Sequence, residues 1–507
     1  MRVGSVVRID LHGRRVRGWV VAEGAGTDRD VALKPIAKVS PGFVAPDLVD
    51  LSTWAAWRWA GKRRTFLSTA TSVKDRGSST PAILHRSAGV ARTVLRLAPA
   101  IDPWPYVVEA AQGPTLLLVP SLARVERWQR RLRDAGMTNV VVGARAGAWA
   151  ACPALASVVV VDAHDDVYVE ERAPTWNAWV VAAERARRAG APCLLITPTP
   201  TPEHLAWGDL VETDRATERR GWARLEVVDR RGDDPRTGLW STRVVDVVRG
   251  SGRVLCILNR TGRARLLRCG TCGTVATCER CASAVHQNAD SELVCDRCGM
   301  VRPTVCAACG AAKLKALRIG TARAADELTA LVGEPVGEVT GASEDVPDTR
   351  VLIGTEALLH RVGRADTVVF VDLDAELSAP HFRANEAALA LLARASRIVR
   401  GRLEDGRVVV QTRQPDHPVL KLEPHRVVEE DDVLRRALDL PPYVALARLS
   451  GDDAAADAER LRGRLGLVVL GPDDAGAYLV RAGDDDTLCD ALRDVHDARV
   501  AVDPVRV

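Results

Sequence analysis

The 507-residue sequence predicts an α/β protein with two lobes, flanked by a small N-terminal β-module and a small C-terminal α+β domain. Two observations support this prediction. Apolar, strand-like runs alternate with helical stretches in two successive series, and a cysteine-rich segment interrupts the second series. Strands that alternate with helices indicate parallel sheets covered on both faces. A chain of this length is expected to form several domains, and its hydrophobic content of 47% suffices for folded cores.

The first 45 residues alternate apolar and polar side chains in the manner of β-strands. This module is basic around the turn HGRR (12–15), where arginines stand beside a tryptophan. Such a cluster is typical either of a charged strand edge that blocks aggregation or of a nucleic-acid contact, and both interpretations stay open. The candidate DNA-binding residues in this module are Arg14, Arg15, Arg17 and Trp19.

Residues 46–85 show no clear periodicity and are expected to form an irregular linker. Trp54, Trp57 and Trp59 lie in this stretch. Because a tryptophan ring buries a large area, packing into a core is the favoured use of these three side chains.

The two α/β series come next. The first covers residues 86–230, with apolar runs at TLLLVP (115–120), NVVVG (139–143), SVVVVD (157–162) and PCLLITP (192–198). The second covers residues 236–262 and 313–424, with runs at RVLCILN (253–259), TRVLIGT (349–355), TVVFVDLD (367–374) and GRVVVQT (406–412). Residues 425–507 are predicted to form the small α+β domain.

Eight of the 12 cysteines lie in four CxxC pairs within the predicted insertion, residues 263–312. A CxxC turn directs two thiolates at one point, and two such pairs complete a tetrahedral four-cysteine zinc site. The pattern therefore predicts two structural zinc ions that have no open coordination position for chemistry. The four pairs are Cys269/Cys272, Cys278/Cys281, Cys295/Cys298 and Cys306/Cys309.

Spacing alone leaves three ways to share these pairs between two ions: sequential, cross-braced and nested. Sequential sharing is tight, because few residues separate Cys272 from Cys278. A disulfide framework is disfavoured by the cysteine spacing and by the expected reducing compartment. The remaining cysteines are predicted to be ordinary thiols, and they are Cys152, Cys193, Cys256 and Cys489.

Composition adds weaker constraints. A net charge of +4 on this length is only weak support for a nucleic-acid partner, and the excess of arginine over lysine reflects a general compositional bias. The sequence has no run of about 18 apolar residues, so no membrane span is expected. Its N-terminus has no apolar core of the length that a signal peptide needs, which predicts a cytoplasmic location.

Six segments spread over nearly the whole chain carry a resemblance to one family. They are NRTGRARLLRCGTCG (259–273), VRPTVCAACGAAKLKALRIGTARAADEL (301–328), VLIGTEALLHR (351–361), LSAPHFRANEAALALL (377–392), VVVQTRQPDHPVL (408–420) and LPPYVALARLSG (440–451). With the two lobes and the cysteine insertion, they resemble the primosomal protein N′ (PriA) family of replication-restart DNA helicases. Residues 143–155 (GARAGAWAACPAL) and 169–205 are similar to its actinobacterial branch, which keeps the fold without recognisable helicase motifs.

The resemblance implies two RecA-like helicase lobes and a nested zinc pairing. One zinc would then take Cys269, Cys272, Cys306 and Cys309, and the other Cys278, Cys281, Cys295 and Cys298. Residues 46–85 would correspond to a degenerate winged-helix region. The N-terminal module would be truncated, because family members begin with several more strands before the segment that starts here at Val3.

The ATPase motifs of the family are degraded in this chain. A motor needs the loop GxxxxGK[ST], whose backbone N–H groups, lysine and hydroxyl hold the phosphates and Mg²⁺. The matching place is residues 83–97, which keep Gly89 but have no lysine beside it. The family's acidic motif is reduced to Asp162, with Ala163 where a glutamate would activate water. Its arginine motif survives as Arg397 and Arg400, without the glycines that shape the loop.

These losses favour a restart protein without a motor, in which binding of ATP and Mg²⁺ is in question. It would bind forked or junction DNA as a monomer at the nucleoid and help to reload the replicative helicase. The implied partners are that helicase, its loader and the single-strand DNA-binding protein. One alternative is an active ATP-dependent 3′→5′ helicase, and another is a zinc-bearing interaction scaffold with no DNA role.

Further DNA contacts are predicted where basic residues lead into the cysteine module, at Arg263, Arg265 and Arg268. Arg383, in the second lobe, is another candidate. Asp372 and Asp374 end a predicted strand and are expected to be structural rather than catalytic, because no nucleotide site is left for them to serve.

Overall fold

The computed structural model of the chain describes residues 1–505 with internal gaps. The residues outside the description are 12, 25–34, 74–90, 234–237, 260–266, 281–282, 289–290, 296–298, 317–320 and 506–507. Two six-stranded parallel sheets dominate the described part, which confirms the predicted α/β class, and smaller sheets flank them. Among the helices that the structure describes, none is long and apolar enough to cross a membrane.

The N-terminal residues form a three-stranded antiparallel sheet. Its strands are β1 (Ser5–Leu11), β2 (Arg14–Trp19) and β3 (Lys38–Phe43), in the order β2-β1-β3. Strand β2 is an edge of this sheet, so its outer backbone groups face solvent, and half of its residues are exposed.

Residues 46–72 are helical rather than irregular, which corrects the expectation for this stretch. Helix α1 (Pro46–Arg58) begins with a proline at its first position, and α2 (Arg63–Ser72) follows after a short turn. Helix α1 buries a row of apolar side chains at helical spacing. The tryptophans and polar residues between them masked this period in the sequence. Trp59 is only 1% exposed, as expected for a ring packed into a core.

The first lobe is a parallel sheet in the order β11-β4-β10-β7-β5-β6. The four predicted strands are all present, together with two outer or polar strands, β4 and β11, that were not predicted. In chain order the elements are β4 (Arg92–Arg96), α3 (Trp104–Ala110), β5 (Thr115–Leu118), α4 (Leu122–Asp134), β6 (Val140–Gly143), β7 (Ser157–Val161), β8 (Val169–Glu170), β9 (Trp176–Asn177), α5 (Ala178–Ala189), β10 (Cys193–Thr197), α6 (Pro202–Trp207), β11 (Asp209–Glu212) and α7 (Arg215–Gly221).

The second lobe is a parallel sheet in the order β12-β22-β21-β13-β20-β19, and the cysteine module interrupts it after β13. In chain order the elements are β12 (Arg224–Asp229), α8 (Thr242–Val248), β13 (Val254–Leu258), the module strands β14 (Leu267–Cys269), β15 (His286–Gln287), β16 (Glu292–Val294), β17 (Val301–Pro303) and β18 (Leu314–Ala316), then α9 (Thr321–Val332), β19 (Val336–Val339), β20 (Val351–Gly354), α10 (Ala357–Arg361), β21 (Thr367–Asp372), α11 (Asp374–Leu377), α12 (Ala384–Ile398), β22 (Arg407–Thr412) and α13 (Pro424–Ala437).

The boundary between the lobes lies earlier in the chain than the sequence indicated. Strand β12 pairs in parallel with β22 along its whole length, so it belongs to the second sheet. The prediction had assigned residues 86–230 to the first lobe. Since this pairing joins segments far apart in sequence, no local pattern reveals it.

The C-terminal residues form a four-stranded antiparallel sheet in the order β24-β25-β23-β26. Its elements are β23 (Ala445–Ser450), α14 (Ala454–Leu461), β24 (Leu467–Leu470), β25 (Tyr478–Ala482), α15 (Asp485–Ala491) and β26 (Arg499–Val502). One continuous core contains side chains from α1, α2, one face of the first lobe and this C-terminal sheet. The second lobe has separate cores on the two faces of its own sheet.

Candidate metal centre and interlobe site

Two cysteine turns face each other at the base of the module. In each turn a glycine N–H donates to the carbonyl of the first cysteine, Gly273 to Cys269 at 3.1 Å and Gly310 to Cys306 at 2.8 Å. Both glycines have φ above 70°, a region that favours glycine over residues with a Cβ. Antiparallel pairing of β14 with β18 holds the two turns together. Two CxxC pairs far apart in sequence are thereby brought to one point.

The sulfur atoms of this cluster lie within 4.8 Å of one another, and they belong to Cys269, Cys272, Cys306 and Cys309. Cys269 Sγ is 3.6 Å from Cys309 Sγ, and Cys272 Sγ is 3.5 Å from Cys306 Sγ. Thiolates that hold zinc at about 2.3 Å in a tetrahedron are about 3.8 Å apart, so the donor set and its geometry fit a structural zinc ion. A hydrogen bond with the Thr274 hydroxyl lowers the pKa of the Cys272 thiol to about 6, which favours the thiolate form.

The other four cysteines are only partly described. Cys278 and Cys295 are buried in a small apolar core that also contains Leu293 of the three-stranded sheet β15-β16-β17. Gly299 donates to the Cys295 carbonyl at 2.9 Å, a hydrogen bond that corresponds to those of Gly273 and Gly310 in the first cluster. Cys281 and Cys298 lie outside the described residues, so the second predicted ligand set stays a prediction.

The position of the phosphate loop follows from the topology of the first sheet. A phosphate loop joins a strand to the helix that follows it. The strand preceding the first crossover is β4, and the segment that joins it to α3 is residues 97–103, LAPAIDP. This corrects the expected position, residues 83–97, of which residues 83–90 (Gly89 included) lie outside the description.

The segment 97–103 has none of the features that a phosphate loop needs. It contains no glycine to bring the backbone close to a phosphate and no lysine to pair with one. Pro99 and Pro103 have no N–H to donate. The N–H of Ala100 donates to the Gly221 carbonyl at 3.0 Å and is therefore already used inside the protein.

Asp162, the residue that would hold Mg²⁺ in a motor, lies directly after β7 and is 1% exposed. Its Oδ1 accepts a hydrogen bond from Nη2 of Arg397 at 2.6 Å. Its Oδ2 accepts from Nη1 of Arg397 and from Nη1 of Arg124. Burial alone would raise the pKa of this carboxyl, but Arg397 and Arg124 hold that pKa well below its usual range. The carboxylate is thus ionised and both oxygens are occupied by guanidinium groups.

Arg397 belongs to α12 in the second lobe, so this ion pair joins the two lobes. Its Nε also donates to the carbonyl of Pro99 at 2.7 Å. The guanidinium therefore fills the space between the acidic residue and the segment where a phosphate loop would lie. Ala163 is buried and offers no carboxylate. Arg400, the other arginine of the motif, follows α12 with φ 63° and is exposed.

A second interlobe contact lies one helical turn away. Arg394, on the same helix α12, donates to Glu356 at 2.8 Å within its own lobe and lies 3.1 Å from Asp165 of the first lobe. Arg394 is thus held by carboxylates of both lobes. At the same contact, burial together with the neighbouring Asp165 raises the pKa of Asp166 to about 6.

A third interlobe contact forms around Glu203 of α6. Arg435, 1% exposed, donates to Glu203 at 2.8 Å and also pairs with Glu386. Arg383 pairs with Glu203 at 2.6 Å and lies 3.6 Å from Glu386. Arg383 was a candidate DNA contact, but its guanidinium is mostly buried and faces these internal carboxylates. Sequence reasoning missed Arg124, Arg394 and Arg435, because no local pattern distinguishes them from other arginines.

The arginines of β2 are exposed, and Arg8 of β1 is half-buried. Arg17 lies opposite Arg8 in the β1–β2 pairing, and Arg8 lies opposite Lys38 in the β1–β3 pairing. Residues paired across antiparallel strands share one face, so three cations form a row across this sheet. Arg15 has a weak surface pair with Asp10 at 3.4 Å.

Trp19 has a different environment from the arginines beside it. Its Nε1 donates to Thr71 Oγ1 of α2 at 2.8 Å, and its ring packs against the shared core. This ring therefore attaches the sheet to the helices and is only partly available to a base.

Arg268 lies in β14 at the entrance to the cysteine module, opposite Lys315 of β18. It lines a cavity of about 80 Å³ at the carboxyl end of the second sheet, together with Arg230 and Arg413. Arg263 and Arg265 lie outside the described residues, so their predicted role is not addressed by the structure.

Curated proteins similar to this chain are replication restart proteins. "Probable replication restart protein PriA" of Mycobacterium tuberculosis (strain ATCC 25618 / H37Rv) is 30% identical over 528 residues, which cover 91% of this chain and 79% of that protein. The protein of the same name from Mycobacterium leprae (strain TN) is 27% identical and covers 91% of this chain and 78% of its own length. "Replication restart protein PriA" of Haemophilus influenzae is 26% identical over 395 residues.

The match to the Haemophilus influenzae protein covers 69% of this chain and 53% of that protein, so the chain spans about half the length of this relative. No protein-family model matches the chain. Among solved structures, Saccharomyces cerevisiae Dbp5 bound to RNA and ADP BeF3 aligns with a TM-score of 0.36 at 10% identity, over 78% of this chain and 97% of that one. A similarity at that level carries no inference.

Proposed function

Because the chain belongs to the PriA family of replication restart proteins, we propose that it binds abandoned or stalled DNA forks and promotes reloading of the replicative helicase without unwinding DNA itself. The observation that carries the second half of this proposal is the ion pair of Asp162 with Arg397. A motor needs that carboxylate for Mg²⁺ and that arginine for the transferred phosphate. Here each neutralises the other.

Binding of nucleotide would have to overcome two obstacles at this site. Mg²⁺ could approach Asp162 only after two guanidinium groups had left a buried carboxylate, and each would then need a new partner. A phosphate at residues 97–103 would meet no lysine and few free N–H groups. Both obstacles act in the same direction, so we propose that the site neither binds ATP productively nor hydrolyses it.

The interlobe contacts support a static role for the two lobes. Helicase motors work by opening and closing a cleft between domains in step with the nucleotide. In this chain Arg397, Arg394 and Arg383 each pair with an acid of the first lobe. These pairs need no nucleotide. We infer that the lobes form one rigid platform that presents the other modules in a fixed arrangement.

Zinc is proposed as the cofactor, with two ions per chain and a structural role for both. The first ion would be held by the cluster of Cys269, Cys272, Cys306 and Cys309, whose geometry fits it. The second would be held by Cys278, Cys281, Cys295 and Cys298, two of which lie in a described apolar core. A module this small has little other core, so bound metal would supply most of its folding free energy.

DNA contact is proposed at two basic surfaces, of which the first is exposed and the second is half-buried. One is the edge strand β2 with Arg14, Arg15 and Arg17. Arg17 belongs to the row of like charges across this sheet, which is unfavourable without an anionic partner. The other is Arg268 at the entrance to the cysteine module, with Arg263 and Arg265 as its predicted extension. Arg383 is no longer proposed as a DNA contact, because its charge is neutralised internally.

The proposed partner proteins and oligomeric state rest on the family alone. We propose that the chain acts as a monomer at the nucleoid in the cytoplasm, with the replicative helicase, its loader and the single-strand DNA-binding protein as partners. A scaffold of this kind would recognise the fork by the shape of the DNA, and the helicase that it helps to load would unwind the DNA.

The test is binding of the zinc-loaded chain to a fluorescent model fork and to a plain duplex at several salt concentrations, with ATP hydrolysis measured in the same samples. Fork-selective, salt-sensitive binding without hydrolysis is the expected result, because phosphate contacts release counterions. The matched control for hydrolysis is Asp162→Ala, which should leave the background rate unchanged.

Two results would contradict the proposal of a fork-binding protein without a motor. DNA-stimulated hydrolysis that disappears in Asp162→Ala would show an active helicase. Absence of DNA binding at low salt would show a zinc-bearing scaffold with no DNA role.

A further inference from the structure

A large cavity lies between the helix α1, both lobes and the C-terminal sheet. Its volume is about 1200 Å³, which exceeds the roughly 300–1,000 Å³ of typical small-ligand sites. None of the exposed arginines proposed to contact DNA lines it. An occupant of this size would be a chain segment rather than a single small molecule.

The lining of this cavity contains more acidic than basic side chains. It includes 12 aspartate or glutamate side chains but 6 arginines, and no lysine. Five of those arginines already pair with carboxylates of the same lining. Those pairs are Arg58 with Asp503, Arg187 with Glu184, Arg383 with Glu203, Arg394 with Asp165 and Arg448 with Asp473. Further pairs join Arg58 with Asp485, Arg394 with Glu356 and Arg383 with Glu386. The uncompensated negative charge of this partly enclosed space is therefore confined to the few lining acids that have no arginine partner among the described residues.

The rim of the cavity shows where this surplus lies. Asp484 and Asp486, at the start of α15, are exposed and form no ion pair with any residue that the structure describes. Asp484 caps the helix by accepting from the N–H of Thr487 at 2.8 Å. A carboxylate in this role is ionised and still has lone pairs directed to solvent.

Tryptophan rings supply the second chemical feature. The lining contains 6 tryptophans, and several of them are only half-buried. Trp179 and Trp207 meet edge to face, with ring centroids 5.8 Å apart and planes at 72°. The face of a tryptophan ring attracts guanidinium and ammonium groups. Tryptophan rings and unpaired carboxylates in the lining of one cavity are the chemistry that recognises arginine and lysine side chains.

An unsatisfied hydroxyl points to an occupant independently of charge. Thr199 is 3% exposed and lines the cavity, yet its Oγ1 has no hydrogen-bond partner among the residues described. Buried polar groups in native proteins are almost always paired. A backbone or side-chain group of an inserted segment would supply the missing partner.

We propose that this cavity is a docking site for an arginine- or lysine-rich segment of a protein partner. The negative potential excludes nucleic acid, whose phosphates would be repelled, and the tryptophan faces favour cationic side chains. The inference is independent of the proposed function, since it needs neither DNA binding nor the zinc ions.

The test is fluorescence anisotropy of the full, zinc-loaded chain with a short fluorescein-labelled peptide of alternating arginine and serine. A peptide with glutamate in place of each arginine is the matched probe. The arginine peptide should bind, with an affinity that falls as salt rises, and the glutamate peptide should not. Failure of the arginine peptide to bind at low salt would overturn the proposal.

Variants then locate the site. The double change Asp484→Asn and Asp486→Asn keeps the helix cap and should weaken binding by about two- to tenfold, the range for loss of two exposed charge pairs. The control is Asp452→Asn with Asp453→Asn, which removes the same charge from exposed residues outside the cavity. Equal weakening by both pairs of changes, or by neither, would contradict the proposal.

A ring variant separates this site from one for nucleic acid. Trp207→Leu should weaken the arginine peptide about two- to fivefold through loss of a cation–π contact. The same variant should leave binding of a labelled oligothymidylate unchanged. If the oligothymidylate loses affinity and the peptide does not, the cavity binds single-stranded DNA and the inference is wrong.

Discussion

Asp162 and Arg397 lie 235 positions apart in sequence and are joined by two hydrogen bonds across the lobes. In a motor of this family these residue types would meet a metal ion and a phosphate. Here they meet each other, and Arg124 adds a second guanidinium to the same carboxylate. This cluster of one carboxylate and two guanidinium groups joins the two lobes.

Asp162→Asn should lower the free energy of unfolding by about 3 kcal/mol, because it leaves two largely buried guanidinium groups without their counter-charge. Urea denaturation measures the change. The control is Asp405→Asn, which removes an exposed ion pair with Arg224 and should cost less than about 1 kcal/mol. Combining Asp162→Asn with Arg397→Met should recover part of the loss, since an apolar side chain needs no partner. Equal losses for Asp162→Asn and Asp405→Asn would show that the pair adds nothing.

Metal analysis of the purified chain should give two zinc ions, and Cys306→Ser should remove one of them. The reason is that three remaining thiolates complete no closed tetrahedral site. Limited proteolysis of this variant should cut near the module and spare the two lobes. Cys193→Ser is the matched control, because that buried thiol lies in the first lobe away from the cluster. One ion in the wild-type chain would contradict the second ligand set.

Changing Arg14, Arg15 and Arg17 together to Gln should weaken DNA binding at low salt. It should also reduce the slope of log affinity against log salt by up to about 3, since each phosphate contact contributes about 0.9. The control triple is Arg127→Gln, Arg130→Gln and Arg133→Gln, which removes the same charge from the exposed face of α4. An unchanged slope in the first triple would place the DNA contact elsewhere.

Asp374→Asn should flatten the pH dependence of stability between about pH 4 and about pH 7. Burial, followed by the neighbouring Asp372, raises the pKa of Asp374 to about 7. In this interval the folded chain keeps a proton that the unfolded chain loses, so the free energy of unfolding falls as pH rises and levels off above about pH 7. Burial also raises the pKa of Glu386 to about 7, so the slope is reduced rather than abolished.

Urea midpoints at several pH values measure this dependence. Replacement of the exposed Asp345 by Asn is the control and should leave the slope as in the wild type. A steeper slope in Asp374→Asn would mean that the carboxyl is ionised in the folded protein throughout this range.

The sequence predicts the local parts of this structure well. Every apolar run assigned to the two lobes contains a strand, because buried parallel strands are nearly continuous runs of Val, Ile and Leu. The cysteine turns were also recognisable, since CxxCG is a local pattern. Strand β4 was missed because RTVLR is polar at both ends, and this error displaced the expected phosphate loop towards the N-terminus.

What the sequence could not predict depends on pairing between distant segments. Strand β12 joins the second sheet only through β22, so its assignment required the fold. Arg397 was singled out by the family resemblance, but its pairing with Asp162 joins distant segments and required the fold. Nothing in the period of α4 distinguishes Arg124 from the neighbouring arginines. Arg383 illustrates the reverse case, in which a suitable charge for DNA is neutralised by Glu203 of another domain.

The core shared by α1, α2, the first lobe and the C-terminal sheet sets an order of events during synthesis. The second lobe has its own cores. In the chain it lies between the segments that build the shared core, namely α1, α2 and the first lobe before it and the C-terminal sheet after it. During synthesis the second lobe can therefore complete its cores before the first lobe does. One apolar face of the first lobe stays uncovered until the strands of the C-terminal sheet have been synthesised. Long-range closure of this kind is slow. During translation the first lobe would thus be the part in need of a chaperone, although it is made earlier.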